Sequence, residues 1–381
     1  MSAWSALAWA SRILPSRIRA RKRVGIGAPL GAALAILALS PAAAQHVSAQ
    51  AHAVTCANCH QRVADFYSHS PMRNAMASEG ANASLEAHPN LSLQKNGYTY
   101  SVQTKNGKST YTVSGGKSSM SLPVHWAIGD RSQTFVLEKD GHYYESLVSY
   151  YQRDLTLATT PGDEDIVPHS LNEAVGRELP LWEVRNCFTC HASGYHPDEK
   201  LDGQKLTPGL NCERCHEDAV EHMADAERKD LTSLPDSLDE MNARETSNFC
   251  GKCHRTWDRV VREGWHGPPT VRFQPYRIAN SRCFDAKDKR ISCLACHDPH
   301  QEANKSAAFY DSKCLACHSG ANTARSSSAS LAATAEAPKI CPVAKENCIT
   351  CHMPKVALAG GHAIYTDHQI RIVRTGDAYP N

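Results

Sequence analysis

Large apolar side chains are scarce in this 381-residue chain: seven Phe, six Trp, and aromatic residues at only 7% in all. No succession of strand–helix–strand units runs through it, which argues against a Rossmann-type or barrel enzyme. Its longest apolar run, Ile26–Leu39, is 14 residues broken by Gly27, Pro29 and Gly31, short against the roughly 20 residues a membrane-spanning helix needs. A basic excess is also missing. The formal net charge is +2, but the first 44 residues hold six basic residues and no acid, leaving 35 basic against 39 acidic residues in the remainder. A net charge of −4 there does not indicate a basic nucleic-acid-binding surface.

Those first residues have their own logic. The basic stretch Arg17–Arg23, the short apolar run and Pro41-Ala42-Ala43-Ala44-Gln45 have the order of an export signal. Cleavage is expected after Ala44, with Ala49 and Ala53 as other cut sites and an uncleaved anchor as the alternative. No Cys at the junction offers a lipidation point. The mature chain, without a transmembrane segment, is expected in the periplasm or outside the cell.

Cysteine and histidine are abundant, at 16 and 20. Fourteen of the cysteines fall into seven copies of C-x-x-C-H: Cys56-Cys59-His60, Cys187-Cys190-His191, Cys212-Cys215-His216, Cys250-Cys253-His254, Cys293-Cys296-His297, Cys314-Cys317-His318 and Cys348-Cys351-His352. Two thiols three residues apart can each add to one vinyl group of a haem, and the next residue then offers its imidazole to the iron. Zinc sites would need further ligands at matched spacing, and a redox dithiol has no reason to be followed by His every time. The expectation is seven covalently bound c-type haems, with proximal iron ligands His60, His191, His216, His254, His297, His318 and His352. Haem faces then supply the core that large side chains do not. The motifs at 293 and 314, and those at 187 and 212, start 21 and 25 residues apart and are expected to hold neighbouring haems.

Each iron has a sixth position. Thirteen histidines lie outside the motifs, enough for seven further ligands. His222, shortly after the third motif, His300, in Asp298-Pro299-His300, and His368, in Thr366-Asp367-His368, rank first. His300 is too close to its own proximal His297 to wrap round the same iron, so a neighbouring haem is expected. His69 competes with Met72 for the first haem. His266, His125, His142, His88, His169, His196, His362 and His52 complete the candidates. The two leftover cysteines, Cys283 and Cys341, are expected either to pair as a disulfide or to remain free thiols.

Six segments follow: an export signal over 1–44, a first-haem segment over 45–85, a β-rich insert over 86–165, a haem core with the second to sixth motifs over 166–320, a small-residue linker over 321–337, and a seventh-haem segment over 338–381. Residues 54–80 read as helix, as do 218–229 and 238–256. Alternating Tyr98, Tyr100 and Val102, then Tyr111 and Val113, punctuated by Asn96-Gly97, Asn106-Gly107 and Asp140-Gly141, predict β-hairpins. The fold class is a mostly α and irregular multihaem cytochrome c fold organised around stacked haems, with a small antiparallel β insert of roughly sixty residues.

Several stretches resemble the multihaem c-type cytochromes of the cytochrome c554 type. They are Cys56-Ala57-Asn58-Cys59-His60 through Met72, Tyr143-Tyr144, Cys187-Phe188-Thr189-Cys190-His191 with Gly194-Tyr195, and Cys212-Glu213-Arg214-Cys215-His216 with His222. Cys296-His297-Asp298-Pro299-His300, and Cys351-His352-Met353-Pro354-Lys355 with Thr366-Asp367-His368, extend the likeness over most of 54–375. The resemblance implies parallel or near-perpendicular haem pairs relaying electrons, with His222, His300 and His368 as distal ligands and Met72 as another candidate. Loops such as Ala192-Ser193 depart from the pattern.

Electron transfer without substrate chemistry is the leading expectation. The alternative is an oxidoreductase with one open haem acting on a small nitrogen or sulfur compound; no C-x-x-C-K is present to favour it. A third reading is a subunit of an extracellular filament or larger complex, with His52 capping a haem of the next copy. The acidic balance, increased by haem propionates, predicts redox partners with a basic docking patch.

Overall fold

The computed structural model describes residues 56–194, 206–229, 232, 237–319, 340–358 and 362–380. The expected export signal and cut sites, His52, His196 and the expected linker over 321–337 lie outside the described residues.

The first motif forms a helical turn at 56–59 and leads into α1 (Gln61–Ser68). The helix expected to continue to residue 80 ends here. Pro71 biases Ser70 away from helical backbone and brings no N–H of its own, and by Met76 the chain is already a strand.

From Met76 to Leu179 the chain builds one antiparallel sheet. Its strands are β1 (Met76–Ser78), β2 (Asn90–Lys95), β3 (Tyr98–Lys105), β4 (Lys108–Gly115), β5 (Ser118–Ile128), β6 (Ser132–Lys139), β7 (His142–Tyr151), β8 (Thr156–Thr159) and β9 (Gly176–Leu179). Strands β2 to β8 lie side by side in chain order, while β1 pairs with β5 and β9 with β7. The sheet curls far enough for its ends to meet: Lys95 on β2 donates to Thr159 on β8. The insert is therefore a nine-stranded, nearly closed sheet rather than a small one. The flanks β1, β8 and β9 lacked the long alternating runs that announced the central hairpins.

Those hairpins turn as their sequences dictate. Asn96-Gly97, Asn106-Gly107 and Asp140-Gly141 all have positive φ at both residues, the type I′ geometry that matches strand twist. Register follows, with Tyr100 opposite Val113 and Val102 opposite Tyr111. These four, with Phe135, Leu137, Val148 and Tyr150, are fully buried inside the curl, each contributing about 1.5–3 kcal/mol of apolar burial. Two short helices, α2 (Ala83–Ala87) and α3 (Leu171–Val175), plug this core with Leu85, Ala174 and Val175.

Beyond Leu179 the chain breaks into short pieces: α4 (Leu181–His191), α5 (Ala219–Glu227), α6 (Ala243–His254), α7 (Trp257–Arg262), α8 (Gln274–Ala279), α9 (Cys293–Cys296), α10 (Ala307–His318) and α11 (Cys348–His352). Two small ribbons join them, β10 (Ala192–Ser193) with β11 (Thr207–Pro208), and β12 (Lys355–Ala357) with β13 (Ile364–Thr366). The helix expected over 238–256 is a 3-10 turn at Leu238–Glu240 followed by α6. Asn242 restarts it: its side chain accepts from the N–H groups of Arg244 and Glu245, and Glu245 accepts from the Asn242 N–H, a capping box.

The two regions differ inside. Both hydrophobic clusters draw on residues between Met76 and Leu206. In the motif-rich region after it, the largest fully buried side chain is a charged one, Arg277.

Candidate functional site

The motifs sit on single helical turns. The second closes α4, the fourth closes α6, the fifth is α9 itself, the sixth closes α10 and the seventh is α11; the third lies on a 3-10 turn at Cys212–Arg214. Helical spacing sets two cysteines three residues apart on one side, with the imidazole next in line.

Neighbouring motifs lie close together along a series: the helices of the second and fourth, fourth and fifth, fifth and sixth, and sixth and seventh motifs pack against one another, and Lys252 within the fourth pairs with Glu217 beside the third. The Cys56 thiol donates to the Met223 sulfur at 3.9 Å, and burial first, then the neighbouring Cys212, pushes it up to about 11. Cys215 feels Cys250. Cys190 bonds Cys253, Cys250 bonds Cys293, Cys296 feels Cys314 and Cys314 bonds Cys348. First joins third, third joins fourth, and fourth joins both second and fifth; fifth leads to sixth and sixth to seventh. The close pair at 293 and 314 is among these contacts. The pair at 187 and 212 is linked instead by the β10–β11 ribbon and by Arg214 donating to the Thr189 carbonyl.

Histidines face histidines. The His60 and His222 ring centroids are 6.4 Å apart, His216 and His300 6.1 Å, and His297 and His368 6.2 Å. Gaps of this size leave room for one metal ion held by an imidazole on each side, so the three pairs suit a haem iron. The apolar side of α1 gives a second test of fit: the helix buries none of its residues and leaves Phe66 54% exposed, a surface suited to a porphyrin face.

Second partners fix ring orientation. His191 Nδ1 donates to the Ala75 carbonyl at 2.8 Å, His352 Nδ1 to that of Arg371 at 2.9 Å and His368 Nδ1 to that of Thr366 at 3.0 Å. The His300 Nδ1 lies 3.0 Å from Asp298 Oδ1. With the proton on Nδ1, the unprotonated Nε2 is left for a metal. Burial pushes His191, His216, His254 and His297 below their ordinary values. His368 falls to about 4, through burial first and the neighbouring His297 second. Neutral imidazole is the ligating form.

Other candidates are placed elsewhere. His69 turns back on its own helix, to the Asp65 carbonyl and Ser68, and the Met72 carbonyl accepts from the Leu210 N–H; the ring 6.4 Å from that of His60 is His222. His142 is exposed and bonded to Glu178. His125 packs edge-on against Trp126, His88 lies beside Tyr150, and His362 pairs with Asp154 over Tyr151. His266 is exposed, bonded to the Gly264 carbonyl, and the exposed His169 offers its backbone N–H to Glu173. Cys283 and Cys341 are not joined to each other in the structure: Cys283 sits near the sulfurs of Cys296, Cys314 and Cys317, while Cys341 accepts from the backbone of Val343 and Ala344.

Spacing alone did not reveal the residues that seat the motifs. Trp126 packs on Phe188, inside the second motif, at 4.8 Å, joining α4 to the sheet. Arg73 donates to the Pro208 carbonyl, and Gly209 passes so close that a Cβ there would lie 1.8 Å from the Arg73 carbonyl oxygen.

Residues 169–217, which span the second and third motifs, match the family of cytochrome c554 and c-prime. No curated protein matches the chain. The crystal structure of the outer cell wall cytochrome OcwA is similar at 15% identity and a TM-score of 0.47, over 86% of this chain and 80% of that one. Among the described residues, no helix is long and apolar enough to cross a membrane. Seven C-x-x-C-H motifs, with the family match over two of them, support a multihaem c-type cytochrome acting in electron transfer, with a β-rich insert.

Proposed function

We propose that this chain carries seven covalently attached c-type haems and passes electrons along them outside the cytoplasm, in the manner of the cytochrome c554 type. The close succession of the motifs supports this reading most directly: the helices that carry the second and fourth, fourth and fifth, fifth and sixth, and sixth and seventh motifs pack side by side. Each haem hangs from its own motif's sulfurs, so haems anchored on adjoining motifs would be neighbours. The haems supply reversible one-electron chemistry; the protein fixes their order, their ligands and their exposure.

The relay runs from the first motif through the third, fourth, fifth and sixth to the seventh, with the second as a branch off the fourth beside the β-rich insert. The seven motif histidines are the proximal ligands. His222 caps the first iron, His300 the third and His368 the fifth, so each of these irons draws its second ligand from the segment after a later motif. That interlacing ties distant stretches together in a region with little hydrophobic core of its own. Extracytoplasmic placement rests on the export signal, and the acidic balance of the mature chain favours a partner with a basic patch and association that weakens with salt.

Protein-film voltammetry of the purified holoprotein tests the reading. A broad reversible envelope of overlapping couples, unchanged by nitrite or hydroxylamine, is expected. A catalytic wave with either compound would replace the relay with an open-haem enzyme.

A further inference from the structure

Arg277 and Asp367 form a fully buried ion pair, each side chain 0% exposed. The guanidinium forks onto the carboxylate, Nε to Oδ1 and Nη2 to Oδ2, both at 2.9 Å. Its remaining arm donates to the Pro380 carbonyl at 3.0 Å, and the Tyr379 ring covers it at 4.6 Å. Arg371 adds a second cation to Asp367 at 2.6 Å. Burying such a pair is costly, and an apolar plug of similar volume would anchor a tail as firmly. A two-point fork adds direction, because it fixes the plane of the carboxylate and hence the backbone that carries it.

That backbone matters on both sides. The next residue is His368, whose ring faces His297 of the fifth motif. Ser281, four residues beyond Arg277, donates to the His368 carbonyl and accepts the Ile370 N–H. Three residues past His368, the Arg371 carbonyl receives the Nδ1 proton of His352 in the seventh motif, and the Arg371 N–H returns to the His352 carbonyl. One strap, residues 367–371, thus holds a ring toward the fifth motif and a hydrogen-bond acceptor toward the seventh.

The geometry points to Arg277 as a positioning residue that sets ligation at two haems at once, by clamping through Asp367 the strap that serves both His297 and His352. This rests on the proposed role of His368 as the fifth iron's distal ligand. Loosening the clamp lets His368 leave, turning the fifth haem high-spin, and withdraws the acceptor from His352, altering the seventh haem's spectrum. Removing only the His368 ring leaves the clamp in place and disturbs one haem.

Low-temperature EPR of the full-length oxidised holoprotein reads this. His368→Gly is the reference: one haem equivalent per chain is expected to turn high-spin and to return to low-spin with added imidazole. Arg277→Lys keeps the charge and loses the fork; Asp367→Asn keeps the shape and loses the charge. Either is expected to raise the high-spin signal toward one equivalent and also to shift the g-values of a second, low-spin haem, with Arg277→Ala strongest. If Arg277→Lys, Asp367→Asn and Arg277→Ala all keep the wild-type spectrum while His368→Gly turns high-spin, the clamp is overturned and the ligand stands. If His368→Gly itself remains low-spin at every iron, the ligand reading fails, and the inference with it.

Discussion

The rings of His216 and His300 lie 3° from parallel with their centroids 6.1 Å apart, although 84 residues separate them in the chain. His216 belongs to the third motif and His300 follows the fifth. The pair therefore stitches two motifs together, and an iron between them would hold the stitch closed.

Removing one side of that pair should open the site. His300→Gly is expected to convert one haem per chain from low-spin to high-spin, to create a carbon monoxide band in the reduced protein, and to be reversed by free imidazole. Optical titration with both ligands checks it; an unchanged spectrum would exclude His300 as a ligand.

The partner of His300 is Asp298, whose Oδ1 lies 3.0 Å from Nδ1 and 2.9 Å from the His300 N–H. Loss of such outer partners commonly weakens a metal ligand about 10- to 100-fold. Asp298→Asn is expected to leave the haem low-spin but to raise its potential, because a less basic ligand stabilises the ferric state less. A spectroelectrochemical titration checks the direction.

The structure makes a sharp distinction between two adjacent tyrosines. Tyr150 is fully buried with no partner for its hydroxyl, whereas the Tyr151 hydroxyl donates to the Thr159 carbonyl at 2.7 Å. Tyr150→Phe is expected to be neutral or stabilising, since an unpaired buried hydroxyl costs about 1–3 kcal/mol. Tyr151→Phe should cost about 1 kcal/mol. Thermal melts of the two variants, followed in the β-rich region, decide this.

Asp163 gives the β-rich region a pH signature. It is 8% exposed, and burial first, then the Glu145 and Glu164 charges, raises its carboxyl to about 6. A carboxyl raised in the folded state is best tolerated protonated, so its favourable contribution is complete below about 4 and is lost as pH rises through about 6. At pH 7 to 8, Asp163→Asn is expected to stabilise by roughly 1–3 kcal/mol and to remove that slope. Equal melting shifts for variant and parent at every pH would refute the assignment.

How much of this was legible in the sequence follows from the range over which each signal acts. Asn-Gly and Asp-Gly turns are local chemistry, so the central hairpins could be read directly. β1 and β9 could not: three- and four-residue strands exist because a longer neighbour offers an edge, which is tertiary information. The same holds at the site. C-x-x-C-H announces its chemistry within five residues, and His222, His300 and His368 stood out by their surroundings. Which ring each would face depends on how the chain folds back, and no spacing encodes that. Arg277 had no sequence signal at all; its role comes from an aspartate 90 residues away.

The central claim, a relay of ligated haems with no open site, is tested most directly by EPR and optical spectroscopy of the purified holoprotein, oxidised and reduced, before and after nitrite, hydroxylamine and carbon monoxide. The account predicts seven haems per chain, all low-spin and indifferent to the added ligands. A high-spin haem that binds any of the three would contradict it and mark the iron at which a substrate is turned over.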